Sequence, residues 1–247
     1  GLLSNLKSGD VLFIDEIHRL SHSVEEYLYS AMEEFRVDFV TGAGAFAKTL
    51  SFPLENFTLI GATTRVGMLS APLRDRFGLV YHVDYYSVEE IKLVVERSAQ
   101  ILKVDIDEHA SAEIARRSRG TPRVANRLLR RVRDFAQVKG SGLADIACAE
   151  KALALDGVDE LGLDRLDRLY LSTLVNPYRG GPAGIEALAA SVNEEPQTLT
   201  DVVEPYLLKI GFIVRTPAGR RSTAEGALHI GGSNGVQGFP DQQRQLF

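Results

Sequence analysis

A chain of 247 residues that is 45% hydrophobic and 25% charged has the composition of an ordinary globular protein of one large or two to three small domains. No apolar run approaches the ~18 residues of a membrane helix, the N-terminus carries no signal-peptide pattern, and a single cysteine, Cys148, excludes an intrachain disulfide and fits a reducing cytoplasm. Five scattered histidines and that one cysteine argue against structural zinc, and a net charge of −5 leaves any nucleic-acid argument to local charge.

The first predicted element is a strand over 11–16, Val-Leu-Phe-Ile-Asp-Glu, whose four apolar residues end abruptly in Asp15 and Glu16. Buried parallel strands read as continuous apolar runs, and open α/β sheets bind ligands at the carboxyl ends of their strands. The run has the form of a Walker B element, with Asp15 in the Mg²⁺ shell and Glu16 polarising the water that attacks a nucleotide γ-phosphate. A strand that merely ends in acids is the alternative. No Gly-x-x-x-x-Gly-Lys-Ser/Thr phosphate loop occurs in the 247 residues and the chain opens on Gly1, so the expectation is a fragment whose loop lies upstream.

A helix is predicted over 21–36, capped by Ser21 or Ser23, with Val24, Leu28, Ala31, Met32 and Phe35 on one apolar side. Two β-rich pieces, 37–40 and 46–52, flank Thr-Gly-Ala-Gly as a hairpin. Residues 57–62 form a second strand parallel to the first, ending in Thr63, Thr64 and Arg65, and 79–83 read as a further short strand. Ser87 with Glu90 makes a capping box that opens a helix to about residue 103. Helices over 107–118, 122–137 and 144–155 come next, the second opened by Thr121 as N-cap and Pro122 at the first helical position. Eight arginines lie between Arg116 and Arg133. After a polar joint near 156–162 come helices over 163–175, 185–192 and 197–210. Two strands then bracket Thr216-Pro217-Ala218-Gly219, which is the element order of a winged helix. From Gly226 the composition predicts disorder.

Asp-Glu-Ile-His at 15–18 could alone be the DExH box of a two-RecA-domain helicase, but the chain has no second RecA-like sheet after it. Instead it has Gly-Ala-Thr-Thr-Arg at 61–65, Arg-Asp-Arg-Phe-Gly at 74–78, and a helical region carrying Gly-Thr-Pro-Arg at 120–123. With Arg-Val-Ala-Asn-Arg-Leu-Leu-Arg-Arg-Val-Arg-Asp at 123–134 and Gly-Phe-Ile-Val-Arg-Thr-Pro-Ala-Gly-Arg at 211–220, the chain closely resembles the RuvB family of AAA+ ATPases. These are motors of Holliday-junction branch migration.

The resemblance implies an α/β plus all-α architecture. Its parts are a partial AAA+ parallel-sheet ATPase domain (1–86), a small helical lid (87–157), a winged-helix DNA-binding head (160–225) and a tail (226–247). It implies roles as well: Thr64 as sensor 1, Arg76 as the arginine finger offered to a neighbouring subunit's ATP, and Arg123 as sensor 2. Arg74 is the rival finger, and a salt bridge to Asp75 or another surface acid is the bland reading of Arg76. Tyr86 corresponds to a nucleotide-contacting tyrosine, with packing or a hinge as the alternative, and Glu33, Glu34 and Phe35 match a segment that meets the adjacent subunit's nucleotide. The remaining arginines of 122–137 read as a solvated face or subunit interface rather than a DNA contact. The hairpin around 39–52 corresponds to the surface that docks on RuvA, or it packs on its own domain. Arg215 and Arg220 flank the wing turn and point to phosphate contact, which positions without reading sequence. Pro196 stands where the family often has a DNA-reaching arginine.

The implied whole is a hexameric ring driven by ATP and Mg²⁺, acting with DNA, RuvA and RuvC in the cytoplasm. Lacking the phosphate loop, the chain alone is expected to hydrolyse no ATP. The rival expectation is a non-catalytic AAA+-like DNA-binding adaptor.

Overall fold

The computed structural model describes residues 2–41, 48–140 and 142–231. The chain divides into two compact units, Gly1–Val83 and Asp84–Phe247. Among the described residues no helix is long and apolar enough to cross a membrane.

In the first unit, strand β1 (Val11–Ile14) pairs in parallel with β4 (Thr58–Gly61), with Ile14 opposite Gly61, so both strands deliver their next residues to the same edge. Helix α1 (His22–Glu34) and the antiparallel hairpin β2–β3 (Arg36–Thr41, Lys48–Pro53) lie between them in sequence. The predicted turn residues 42–47 lie outside the described residues. Helix α2 (Ala71–Asp75) starts at Ser70, whose hydroxyl accepts the Leu73 amide at 3.3 Å. Residues 79–83 are not a strand, contrary to the sequence expectation. This apolar run finds no ladder partner among the described residues, and Leu79 and Val83 stand open to solvent.

The second unit carries two apolar cores. In the first, α3 (Val88–Leu102), α4 (Glu108–Arg117), α5 (Pro122–Lys139) and α6 (Ile146–Leu155) close around Ile91, Val95, Ile114, Leu128, Leu129 and Leu153. The expected capping box forms at the start of α3, whereas Thr121 takes the N-cap of α5 without a side-chain bond. In the second core, α7 (Arg165–Val175), α8 (Ile185–Val192), α9 (Pro196–Thr198), a π-helical stretch Leu199–Val203 and α10 (Glu204–Lys209) surround Tyr170, Leu171, Leu188 and Leu207. Pro196 is the first residue of α9. The wing is the antiparallel pair β5–β6 (Ile213–Thr216, Gly219–Ser222).

Helix α11 (Ala224–His229) corrects the expected onset of disorder at Gly226. Thr223 caps it, and Gly226 is buried so close to the Phe212 backbone that a Cβ would lie 2.4 Å from its carbonyl oxygen. The rest of the expected disordered tail, 232–247, lies outside the described residues.

The joint near 156–162 is tied by three arginines. Arg116 Nη1 donates to Glu160 O (2.6 Å), Arg117 Nη1 to Val158 O (3.1 Å) and Arg119 Nε to Gly162 O (2.7 Å). Arg119 also pairs with buried Asp167 and lies over the Tyr206 ring.

Candidate nucleotide and DNA sites

Asp15 and Glu16 leave β1 at the edge where Thr63 and Thr64 leave β4. Gly61 permits the approach: a Cβ there would lie 2.9 Å from Ile17 Cδ1 and 3.1 Å from Phe77 Cζ. Glu16 adopts a left-handed backbone (φ 49°, ψ 47°), a conformation that costs a non-glycine residue energy and is kept by its surroundings. Its amide donates to Asp15 Oδ1 at 2.9 Å, and its Oε2 accepts from Thr64 Oγ1 at 3.3 Å. The same oxygen lies 3.2 Å from His18 Nδ1, which is also 2.8 Å from Thr63 Oγ1. Thus three predicted residues, Asp15, Glu16 and Thr64, come together, joined by His18 and Thr63. Sequence reasoning assigned no role to those two; their offsets from the strand ends were the available signal.

Asp15 is exposed, and among the described residues no group of three or more His, Cys, Asp or Glu gathers as a metal cage. That donor set fits Mg²⁺, which keeps much of its water and needs only one or two protein carboxylates beside substrate phosphates.

Arg76 caps the C-terminus of α2. Its Nη1 donates to Pro72 O (2.8 Å) and its Nη2 to Glu33 Oε2 (3.2 Å), while Nε lies 3.1 Å from Glu33 Oε1 without the alignment of a hydrogen bond. The partner is therefore a surface acid other than Asp75, Glu33, and two predicted site residues meet. Glu34 pairs with Arg36 at 2.7 Å, and Phe35, left-handed at the end of α1, packs edge-on against Phe57 with centroids 6.1 Å apart.

In the second unit, the Tyr86 amide donates to Gly120 O at 3.0 Å, and a Cβ on Gly120 (φ +68°) would lie 2.6 Å from Tyr86 O. This brings the Tyr86 backbone to the turn that opens α5, whose first turn presents Arg123 to solvent.

On the wing, Arg215 and Arg220 are direct cross-strand partners. Like charges opposite one another repel, and fully buried Glu204 lies between them. Arg215 Nε donates to its Oε2 at 2.7 Å, Arg220 Nε to its Oε1 at 2.8 Å, and Tyr170 OH to Oε1 at 2.9 Å. Burial and the Glu204 charge push the Tyr170 hydroxyl far above its ordinary pKa. The Arg215 side chain keeps 46% of its surface open and Arg220 19%.

Beside the hairpin, Tyr27, Phe39 and Phe52 form a run of rings with successive centroids 5.5 and 5.6 Å apart. All three are exposed.

Residues 1–83 match the Holliday junction DNA helicase RuvB P-loop domain, 86–159 the RuvB AAA lid domain, and 160–231 the RuvB C-terminal winged helix domain. The Holliday junction branch migration complex subunit RuvB of Thermobifida fusca is 56% identical over 93% of this chain and 66% of its own length. The protein of the same name from Oenococcus oeni is 56% identical over 93% of this chain and 68% of its own. The chain thus spans about two thirds of the length of the curated relatives it matches. The solved structure of the Thermotoga maritima RuvB Holliday junction branch migration motor superposes with a TM-score of 0.82 at 45% identity, covering 95% of this chain and 74% of that one. The chain belongs to the RuvB family of AAA+ proteins.

Proposed function

We propose that the chain is part of an ATP-driven motor subunit that moves Holliday-junction crossovers in DNA recombination and repair, in the cytoplasm, as one member of a hexameric ring. The observation that carries the reading is the contact of Thr64 with Glu16 beside Asp15 at the ends of two parallel strands, in a chain of this family.

ATP and Mg²⁺ are the implied substrate and cofactor; Asp15 would hold the metal, which when bound offsets negative charge on the phosphates. Glu16 orients the attacking water, and Thr64 and His18 fix the carboxylate that does so. Arg76 leaves Glu33 for the phosphates of a neighbouring subunit's nucleotide, where such an arginine contributes on the order of 10³–10⁵ in rate. Glu33, Glu34 and Phe35 border that same nucleotide. Tyr86 and Arg123 contact the nucleotide from the lid, and the Arg116–Arg119 ties carry lid rotation to the head. Arg215, the more open of the wing pair, and Arg220 rest on DNA phosphates of the duplex arms, a contact that weakens with salt. The aromatic run beside the hairpin serves RuvA, and RuvC joins the same junction complex.

The 247 residues contain no phosphate loop, so the purified chain is expected to turn over no ATP. The deciding experiment adds it in rising amounts to an intact RuvB-family ring with RuvA and a synthetic four-way junction. A motor subunit enters the ring and lowers branch migration. Unchanged migration would overturn the reading in favour of a DNA-binding adaptor.

A further inference from the structure

An arginine that must reach a phosphate on another subunit needs a fixed starting position, and Arg76 ends a helix of only five residues. Glu33 holds it by charge, but Glu33 is exposed and its carboxylate competes with any phosphate the guanidinium approaches. A second support is neutral. The guanidinium carbon of Arg76 lies 4.6 Å from the centroid of the Tyr29 ring, within reach of a cation–π interaction.

That ring is itself fixed. Tyr29 OH donates to Glu25 Oε2 at 3.0 Å and lies 3.0 Å from Ser70 Oγ, which donates to the same carboxylate oxygen at 2.6 Å. Glu25 is 6% exposed, so this is a buried carboxylate whose partners include two hydroxyls. Ser70 also caps α2, so one cluster joins Tyr29 to the start of the helix that carries Arg76. Glu25, Tyr29 and Glu33 are spaced i, i+4, i+8 and form one stripe along α1.

We propose that Tyr29, anchored by Glu25 and Ser70, is a positioning residue for Arg76: its ring holds the guanidinium in place while the charge passes from Glu33 to a phosphate. The proposal rests on the finger reading of Arg76. A neutral ring suits the task because it attracts the cation without repelling the incoming anion.

The test supplies the full chain in trans to an intact RuvB-family subunit that keeps its phosphate loop but has lost its own finger arginine. ATP hydrolysis then reads the finger that this chain contributes, while the KM for ATP belongs to the other subunit. The unaltered chain should restore turnover and Arg76→Ala should not. Tyr29→Leu should lower kcat on the order of 10²-fold, the cost of misplacing a catalytic group, with KM unchanged. Tyr29→Phe keeps the ring but loses its anchor to Glu25 and Ser70, and should fall between the unaltered chain and Tyr29→Leu. Pentafluorophenylalanine at position 29 keeps the shape but weakens the negative face of the ring, and should fall below Phe even where the Leu variant fails to fold. If Arg76→Ala abolishes turnover while pentafluorophenylalanine matches Phe, the Tyr29 proposal fails and the finger reading stands. If Arg76→Ala restores turnover as well as the unaltered chain, or the unaltered chain restores none, the finger reading fails and this inference falls with it.

Discussion

The acids at the β1 edge and those beneath the second unit's arginines are held in opposite ways. At the β1 edge, Asp15 and Glu16 stand at open strand ends, with a hydroxyl and an imidazole against one oxygen of Glu16. In the second unit, Glu204, Asp167 and Glu113 are buried and each meets at least one guanidinium at hydrogen-bonding distance. A buried charge is tolerable only when its partners are all in place, and removing one partner leaves the other uncompensated. An exposed carboxylate keeps its water and can exchange it for a ligand. Charge committed to the fold is therefore buried and paired, and charge kept for chemistry stays open.

The largest effect should come from Glu204→Ala, which strands Arg220 and the buried Tyr170 hydroxyl together. It is expected to cost about 3–5 kcal/mol of stability, read by urea denaturation. A cost below about 1 kcal/mol, the scale of an exposed pair, would erase the contrast between these acids, because Glu204 would then behave like a surface acid.

Arg119→Ala comes second, with a pH dependence that probes the same contrast. Burial pushes the Asp167 carboxyl up from an ordinary 3.8 to about 6, and the Arg119 charge offsets only part of that. A raised carboxyl pKa stabilises the fold below its ordinary value, and this contribution is lost as pH rises through the folded value. Stability attributable to Asp167 should therefore decline between pH 4 and pH 7. Burial also opposes the Asp164 and Glu113 carboxylates. Backbone amides and Arg119 outweigh it for Asp164, and Arg116 and Arg117 for Glu113, so both are held below the ordinary range. Their contribution is present above their ordinary pKa and is lost as pH falls through the lowered one. Melting curves of the unaltered chain and Asp167→Asn should differ in slope between pH 4 and 7, with the Asn variant flatter. Arg119→Ala should cost on the order of 3 kcal/mol at pH 7 and less at pH 5, where Asp167 takes a proton in place of its lost partner. Equal slopes for Asp167→Asn and the unaltered chain would show that Asp167 does not titrate in this window.

Ser87→Ala removes one half of the α3 capping box, Ser87 Oγ accepting from Glu90 N at 3.2 Å, and should cost about 1 kcal/mol. This sets the scale of a local, exposed contribution against the buried acids.

Local signals were legible and long-range charge pairing was not. The apolar run ending in Asp15-Glu16, the capping box at Ser87, and the turn between β5 and β6 each depend on neighbours within a few residues. The partner of Arg76 is 43 residues away, and that of Arg119 is 48 away. No periodicity links such residues, so Glu33 was foreseeable only as an unspecified surface acid beside the one named neighbour, Asp75. The wing shows the same limit: Arg215 and Arg220 read correctly as neighbours across a turn, but Glu204 beneath them lies on a different element. The strand expected over 79–83 failed because a short apolar run predicts an element but not a ladder partner. Helix α11 was missed because its small residues and Gly226 hide the apolar side, although Thr223 offered a legible cap.

The smallest change in stability is expected of Glu16→Gln. The substitution keeps the shape of the side chain and an oxygen for the Thr64 hydroxyl, and the position is half-buried beside open solvent. Its effect on stability should stay within about 0.5 kcal/mol, the range of substitutions away from buried networks. The same change should silence hydrolysis in any assembly where this site holds nucleotide, since an amide is a far weaker acceptor for the proton of an attacking water. If instead urea denaturation shows a loss as large as that of Arg119→Ala, the Glu16 carboxylate is a structural anchor for His18 and Thr64. Its left-handed backbone would then be a feature of folding and not of chemistry. A stable, inactive variant places Glu16 with the groups that the fold holds open, at the opposite extreme from Glu204.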